Sequence, residues 1–158
     1  FVYLQRTTRP RVTRVTIDPA MPGRHLVGSP PGDVAPDAID MLRIDGSLFF
    51  GATDHVRDRL DAARVDRPSA RHVLLILSGV NFIDVAGAGL LAEFANALRQ
   101  QGATLWLTHL RESVREVLER GGYMQAIGPG HAFDIDDDAL RAIRAEIEAQ
   151  SQPPPPPG

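Results

Sequence analysis

The feature that most constrains the fold is a run of five apolar residues, Val-Leu-Leu-Ile-Leu, at positions 73–77. The run is too short for a helix and lacks the polar alternation of a half-exposed strand, so it predicts a strand buried on both faces. Such a strand lies inside a parallel or mixed sheet that is covered by helices on both sides. The sequence therefore predicts an α/β domain.

The segment after this strand predicts the start of a helix. Asp84 stands at the N-cap position, where its carboxylate can accept hydrogen bonds from the exposed amides of the first turn. That first turn, residues 86–89, carries almost no side chains, so a partner could approach its backbone closely. The apolar face of the helix follows at spacings of one, three and four residues: Leu90, Leu91, Phe94 and Leu98.

A hydrophobic strand followed by Asp84-Val85-Ala86-Gly87 resembles the central signature of STAS domains, Asp-x-Ser/Thr-Gly at the start of a helix. STAS domains occur as anti-sigma-factor antagonists and as cytoplasmic tails of SulP-type anion transporters. The position of the phosphorylated Ser or Thr in the antagonists is Ala86 here. The resemblance therefore implies a domain without phosphorylation at this position.

A second segment, residues 42–52, resembles the SulP form of the domain, in which a turn and a Phe-Phe pair precede the first helix. Here the turn is Asp45-Gly46 and the pair is Phe49-Phe50. Antagonists lack this pair as a rule, so the resemblance favours a transporter tail. It covers roughly residues 39–149 and implies a STAS-like mixed sheet with about four α-helices packed on it.

Composition excludes several function classes. A chain of 158 residues fits one domain. It contains no Cys and no Lys, which excludes disulfides, thiolate chemistry, a P-loop lysine and Schiff bases. A net charge of -3 without a basic run argues against a nucleic-acid surface. No apolar stretch approaches the roughly 20 residues of a membrane span.

The remaining elements follow from periodicity and turn residues. Further strands are predicted at residues 12–17, 38–44, 47–50, 103–108 and 132–135. Further helices are predicted after a cap at Thr53 or Asp54, over residues 111–120, and from Asp136 onwards. Their inward-facing residues are Val56, Leu60 and Ala63, then Val114, Val117 and Leu118, then Leu140, Ile143 and Ile147.

The chain divides into three parts. Residues 1–37 are predicted to be a juxtamembrane linker with one edge strand and a Pro/Gly-rich loop, residues 38–150 the STAS domain, and residues 151–158 a disordered proline-rich tail. The apolar start, Phe-Val-Tyr-Leu, followed by spaced arginines is typical of the cytoplasmic exit of a membrane segment. An ordinary edge strand is the alternative.

Asn81, Asp84, Val85, Ala86 and Gly87 form the candidate binding site. The backbone amides at the start of this helix could bind an anion, although the carboxylate of Asp84 already lies there. Gly87, Gly89 and Ala92 also fit a dinucleotide fingerprint, but seven residues separate Gly79 from these glycines, whereas the fingerprint requires a tight turn. The favoured interpretation is a structural cap whose small residues allow close packing or docking of a partner.

Other candidate sites have simpler explanations. The five His residues lack the short spacings of a metal site, and the acids at 134 and 136–138 suit a helix start, so no metal and no cofactor are predicted. No nucleophile elbow or Ser–His pairing predicts an enzyme. If Phe49 and Phe50 lie in a strand, they point to opposite faces, so one of them is expected to be buried. The other is expected either to pack under the first helix or to form an interaction patch.

The resemblance implies a non-catalytic regulatory domain of a SulP-like transporter for sulfate, bicarbonate or dicarboxylate, on the cytoplasmic face of the bacterial inner membrane. Its partner would be the transmembrane domain of the same polypeptide, with a homodimer formed through the full transporter. Family members are associated with acyl carrier protein and with nucleotides, and no residue here argues for either. The alternatives are a free-standing antagonist-like protein without its phosphorylatable Ser and a small α/β enzyme.

Overall fold

A computed structural model describes residues 9–15 and 38–154. It contains five strands in one sheet: β1 Arg11–Arg14, β2 Ile39–Asp45, β3 His72–Gly79, β4 Thr104–Thr108 and β5 Ala132–Phe133. Five α-helices and one 3-10 turn accompany them: the turn Phe50–Ala52, α1 Thr53–Asp66, α2 Val85–Gln100, α3 Glu112–Arg120, α4 Tyr123–Ile127 and α5 Asp136–Ser151. The predicted α/β architecture with a mixed sheet is confirmed.

The central position predicted for residues 73–77 is also confirmed. The strands lie in the order β1-β2-β3-β4-β5, with β1 antiparallel to β2 and all other neighbours parallel. Val73, Leu75 and Leu77 enter a core formed with helices α1 to α4, while Leu74 and Ile76 enter a second core beneath α5. Both faces of β3 are therefore buried, as an unbroken apolar strand requires.

The parallel pairing of β2 and β3 brings the loops that follow them to the same edge of the sheet, the carboxyl edge. Two bonds between backbone groups join these loops at Leu48: the Leu48 amide donates to the Phe82 carbonyl (2.9 Å), and the Asp84 amide donates to the Leu48 carbonyl (3.0 Å). Leu48 thus forms a single parallel bridge with Ile83. This edge carries the candidate site.

The prediction of a strand at residues 47–50 is wrong. The chain pairs only at Leu48 and then turns into the 3-10 segment, because the Ala52 amide donates to the Phe49 carbonyl. The prediction that Thr53 or Asp54 caps α1 is also wrong, because no side chain caps the start of this helix. The turn runs directly into α1, so the first amides of the helix find backbone carbonyls, and the Thr53 hydroxyl donates to the Phe50 carbonyl instead.

Differences elsewhere concern short elements and element ends. Helix α4 was not predicted, because its five residues lie between Gly121-Gly122 and Gly128-Pro129-Gly130, which indicate a loop. Helix α5 extends through Ser151, one residue into the predicted tail. The loop expected at residues 18–36 and the tail's last four residues lie outside the described part of the chain. The inward residues Val56, Leu60 and Ala63 of α1 are buried as predicted.

The antiparallel strand β1 is attached to the sheet by a partly buried ion pair as well as by its backbone pairing. The Arg14 guanidinium binds both oxygens of Asp40, at 2.8 and 3.1 Å, and also donates to the Ala63 carbonyl at the end of α1 (3.0 Å). Asp40 is buried, and its hydrogen bond raises the pKa of Arg14 above the ordinary value. One side chain therefore links β1, β2 and α1.

Removing that guanidinium would leave a buried, unpaired carboxylate. We expect Arg14→Ala to lower the free energy of unfolding by about 3 kcal/mol, since breaking a buried pair leaves its partner uncompensated. Arg43→Ala is the matched control, because its partner Asp45 is partly exposed and the pair is expected to contribute less than about 1 kcal/mol. Urea unfolding followed by circular dichroism measures both. Equal losses in the two variants would contradict the structural role of Arg14.

Candidate functional site

Asp84 connects the two loops at the carboxyl edge. One carboxylate oxygen accepts from the Gly87 amide in the first turn of α2 (2.8 Å), which confirms the predicted N-cap. The other accepts from the Phe50 amide in the 3-10 turn (2.9 Å). The second bond was not predicted, because it joins residues 34 positions apart. The two sequence features singled out separately, Phe49-Phe50 and residues 84–87, thus belong to one site.

Gly87 allows α2 to lie directly against the loop after β2. A Cβ at this position would overlap the carbonyl oxygen of Leu48 and approach the Cγ1 atom of Ile83 to 2.9 Å. Gly89, one half-turn further, has no heavy atom within 4 Å of such a Cβ. The glycine of the Asp84-Val85-Ala86-Gly87 signature is therefore explained by packing, and Gly87 is not open to a ligand.

Three large apolar side chains are exposed around Asp84. Phe50 is 79%, Val85 69% and Phe82 53% exposed, although each belongs to a loop or helix end fixed by the hydrogen bonds above. We call these three residues the apolar rim. Phe82 was missed at the sequence level, since a single aromatic residue in a loop carries no periodic signal. The rim gives the edge an accessible surface that favours apolar contacts.

The other predicted site residues occupy distinct positions. Phe49 is half-buried and its ring lies over Gly51, so within the Phe pair Phe50 is the exposed member. Asn81 is exposed, and its carbonyl accepts weakly from the Ser113 hydroxyl of α3 (3.4 Å). Ala86 is half-buried beside Val85. All of them lie at the same edge as Asp84.

The site presents an exposed apolar surface and few side-chain groups that could bind a charged ligand or take part in a reaction. Both oxygens of Asp84 are occupied by backbone amides, so this carboxylate caps and tethers. An anion at the start of α2 would face that carboxylate, which disfavours its binding. Ala86 has no hydroxyl for a phosphoryl group. Among the described residues, no three His, Asp or Glu side chains are placed to hold a metal ion.

Comparison with known proteins relates the chain to one family. The sequence profile of the STAS domain matches residues 34–138. YvdB of Bacillus subtilis (strain 168), assigned as a sulfate transporter, is 26% identical over 101 residues, 64% of this chain and 19% of that protein. The anti-sigma F factor antagonist of Paenibacillus polymyxa is 24% identical over 111 residues, 70% of this chain and 88% of that protein.

A solved structure shows the same relation. The sulfate transporter family protein from Wolinella succinogenes is 28% identical, with a TM-score of 0.62, and the match covers 76% of this chain and 96% of that one. The chain spans about a fifth of the length of the transporter from Bacillus subtilis. Within residues 9–15 and 38–154, no helix combines the length and apolar character needed to cross a bilayer.

The role of Gly87 can be tested against Gly89. We expect Gly87→Ala to destabilise the domain by about 1–3 kcal/mol, because the added methyl overlaps a backbone carbonyl that cannot move away cheaply. Gly89→Ala meets open space and is expected to stabilise by up to about 1 kcal/mol through helix propensity. Urea midpoints of the two variants provide the comparison, and shifts of the same sign would contradict this packing.

Proposed function

The chain belongs to the STAS family, and we propose that it is the non-catalytic regulatory and interaction domain of a SulP-like anion transporter. Sulfate, bicarbonate or a dicarboxylate would pass through a separate membrane domain of the same polypeptide. The domain would then lie on the cytoplasmic face of the bacterial inner membrane. Its part in transport would be to bind the membrane domain through the apolar rim and the adjoining start of α2.

The observation that carries this proposal is the presence of both Ala86 and the apolar rim at the same edge of the sheet. A phosphorylation switch needs a hydroxyl at the start of α2, so that a new charge of about -1.5 to -2 can alter partner binding. This chain has a methyl group there, and the exposed side chains of Phe50, Phe82 and Val85 lie at the same edge of the sheet. A surface of this kind suits a permanent contact, recognised by shape and apolar area.

The path of the chain supports the membrane domain as the partner. Arg11, at the start of β1, pairs with Asp45, at the carboxyl end of β2. Pro10 lies against Gly46, where an added Cβ would come within 2.9 Å of the Pro10 Cα atom. β1 therefore begins at the edge that carries the apolar rim. Tethering raises the effective concentration of such a partner at this edge.

The second candidate is a free-standing antagonist-like protein. The observation in its favour is the match to the anti-sigma F factor antagonist over 88% of that protein's length. The missing hydroxyl at Ala86 argues against it, because the switch of an antagonist needs that group. The described residues around Asp84 give no support to acyl carrier protein or a nucleotide as a ligand.

The membrane-domain contact predicts a transport phenotype. In the full polypeptide, the combined substitution Phe50→Ser, Phe82→Ser and Val85→Ser should reduce sulfate uptake into proteoliposomes several-fold at equal protein levels. The isolated domain should keep its stability within about 1 kcal/mol, because the three side chains are exposed. Val65→Ser is the control, since Val65 is an exposed apolar residue of α1 outside the rim. Unchanged uptake by the rim variant would contradict the proposal.

The two candidates differ in their dependence on a hydroxyl. With a serine-kinase anti-sigma factor and ATP, neither the wild-type chain nor Ala86→Ser should form a stable complex or gain phosphate at position 86. Mass spectrometry and gel filtration measure both outcomes. Phosphorylation of Ala86→Ser, with binding lost on phosphorylation, would favour the antagonist. Membrane-spanning segments encoded directly upstream of Phe1 would favour the transporter.

A further inference from the structure

The sheet face beneath α5 contains a contact between one indole and two imidazoles. Trp106 on β4 donates from Nε1 to the Nδ1 atom of His72 on β3, at 3.2 Å. His131, just before β5, stacks on the indole with ring centroids 4.3 Å apart and planes inclined by 29°. His72 is only 2% exposed. A buried titratable side chain thus accepts a hydrogen bond from the single tryptophan of the chain.

The hydrogen bond from Trp106 requires a neutral His72. An indole nitrogen can only donate, so Nδ1 of His72 must carry a lone pair and its proton must lie on Nε2. A protonated imidazole has N–H groups on both nitrogens, which would turn the Trp106 contact into two donors facing each other. Protonation of His72 is therefore incompatible with the Trp106–His72 hydrogen bond. We call the arrangement that contains this bond the closed state.

The charges around His72 act in opposite directions. Burial lowers the pKa of His72 below its ordinary value, and His131 lowers it further, whereas Glu146 of α5 raises it. Burial is the largest of these causes, so the net shift is downward. His72 is neutral in the closed state, and an opened state would bind a proton as the pH falls below about 6.5. The equilibrium for opening then rises by up to about tenfold per pH unit.

Helix α5 covers this face of the sheet. Its first residue, Asp136, accepts from the Thr108 hydroxyl (2.7 Å) and lies 3.2 Å from Nε2 of His109, so this end is held to β4. The opposite half carries Glu146 near His72 and the partly buried Ile147. The second core, which includes Trp106, depends on α5 for its cover.

We propose that His72 and Trp106 form an acid-sensitive latch, in which protonation of His72 releases the C-terminal half of α5 from the sheet. The N-terminal half stays attached through Asp136 and Thr108. Release hydrates the His72 imidazolium and exposes the edge of the second core. The core beneath α1 to α4 lies on the other face of the sheet and does not take part.

Hydrogen exchange tests the latch directly. Exchange of the full chain is followed by mass spectrometry at about pH 7.5 and about pH 5, after correction for intrinsic rates. In the wild type, amides of residues 143–151 should exchange at least about tenfold faster at the lower pH, while those of β3 should not. Emission of Trp106 should change over the same pH range. Equal exchange of residues 143–151 at both pH values would overturn the proposal, as would equal acceleration of β3.

Two variants separate His72 from other titrating groups. His72→Gln keeps an acceptor for Trp106 but does not titrate, so acceleration at low pH should disappear. His55→Gln is the control, because His55 contacts the Pro10 carbonyl away from α5, and its response should equal that of the wild type. Glu146→Gln removes a charge that would stabilise an imidazolium in the closed state, so opening of α5 at about pH 5 should be equal to or greater than in the wild type. A response in His72→Gln equal to the wild type, or weaker opening at about pH 5 in Glu146→Gln, would refute the latch.

Discussion

The geometry of the carboxyl edge depends on the two hydrogen bonds that Asp84 accepts. One comes from the first turn of α2 and the other from the turn before α1, so a single carboxylate fixes the start of both helices. Because these amides come from backbone that cannot move independently of the sheet, the carboxylate is held in place. The close approach of Gly87 to the Leu48 carbonyl completes this contact.

This rigid framework explains how the edge can present apolar side chains to water. Phe50, Phe82 and Val85 extend from backbone that is already hydrogen-bonded to neighbouring segments. A partner that binds there need not order a loop, so more of the contact energy remains for binding. The replacement of a hydroxyl by Ala86 removes the usual means of changing such a surface by charge. Regulation, on this proposal, reaches the edge through the membrane domain.

Sequence reasoning worked where the physical cause is local. Residues 73–77 predicted a buried strand from their own apolar run, and Asp84 predicted a cap from its position just before the first turn of the helix. It failed where the cause is distant: the Phe50 amide turns towards Asp84, so residues 47–50 do not pair as a strand. Helix α4 is too short to show a period. Phe50 and Val85 were singled out separately, but the apolar rim as a whole was not predicted, because its members belong to two segments that only the sheet brings together.

The unequal cover of the two faces has a consequence for how this domain can change. Four helices share a core on one face, and α5 with Trp106 forms a smaller one on the other. The backbone of the sheet separates the two sets of side chains, so substitutions in one set are expected to combine additively with those in the other. A lineage could therefore remodel the α5 face, and with it any response to acidity, without giving up the surface by which the domain is recognised.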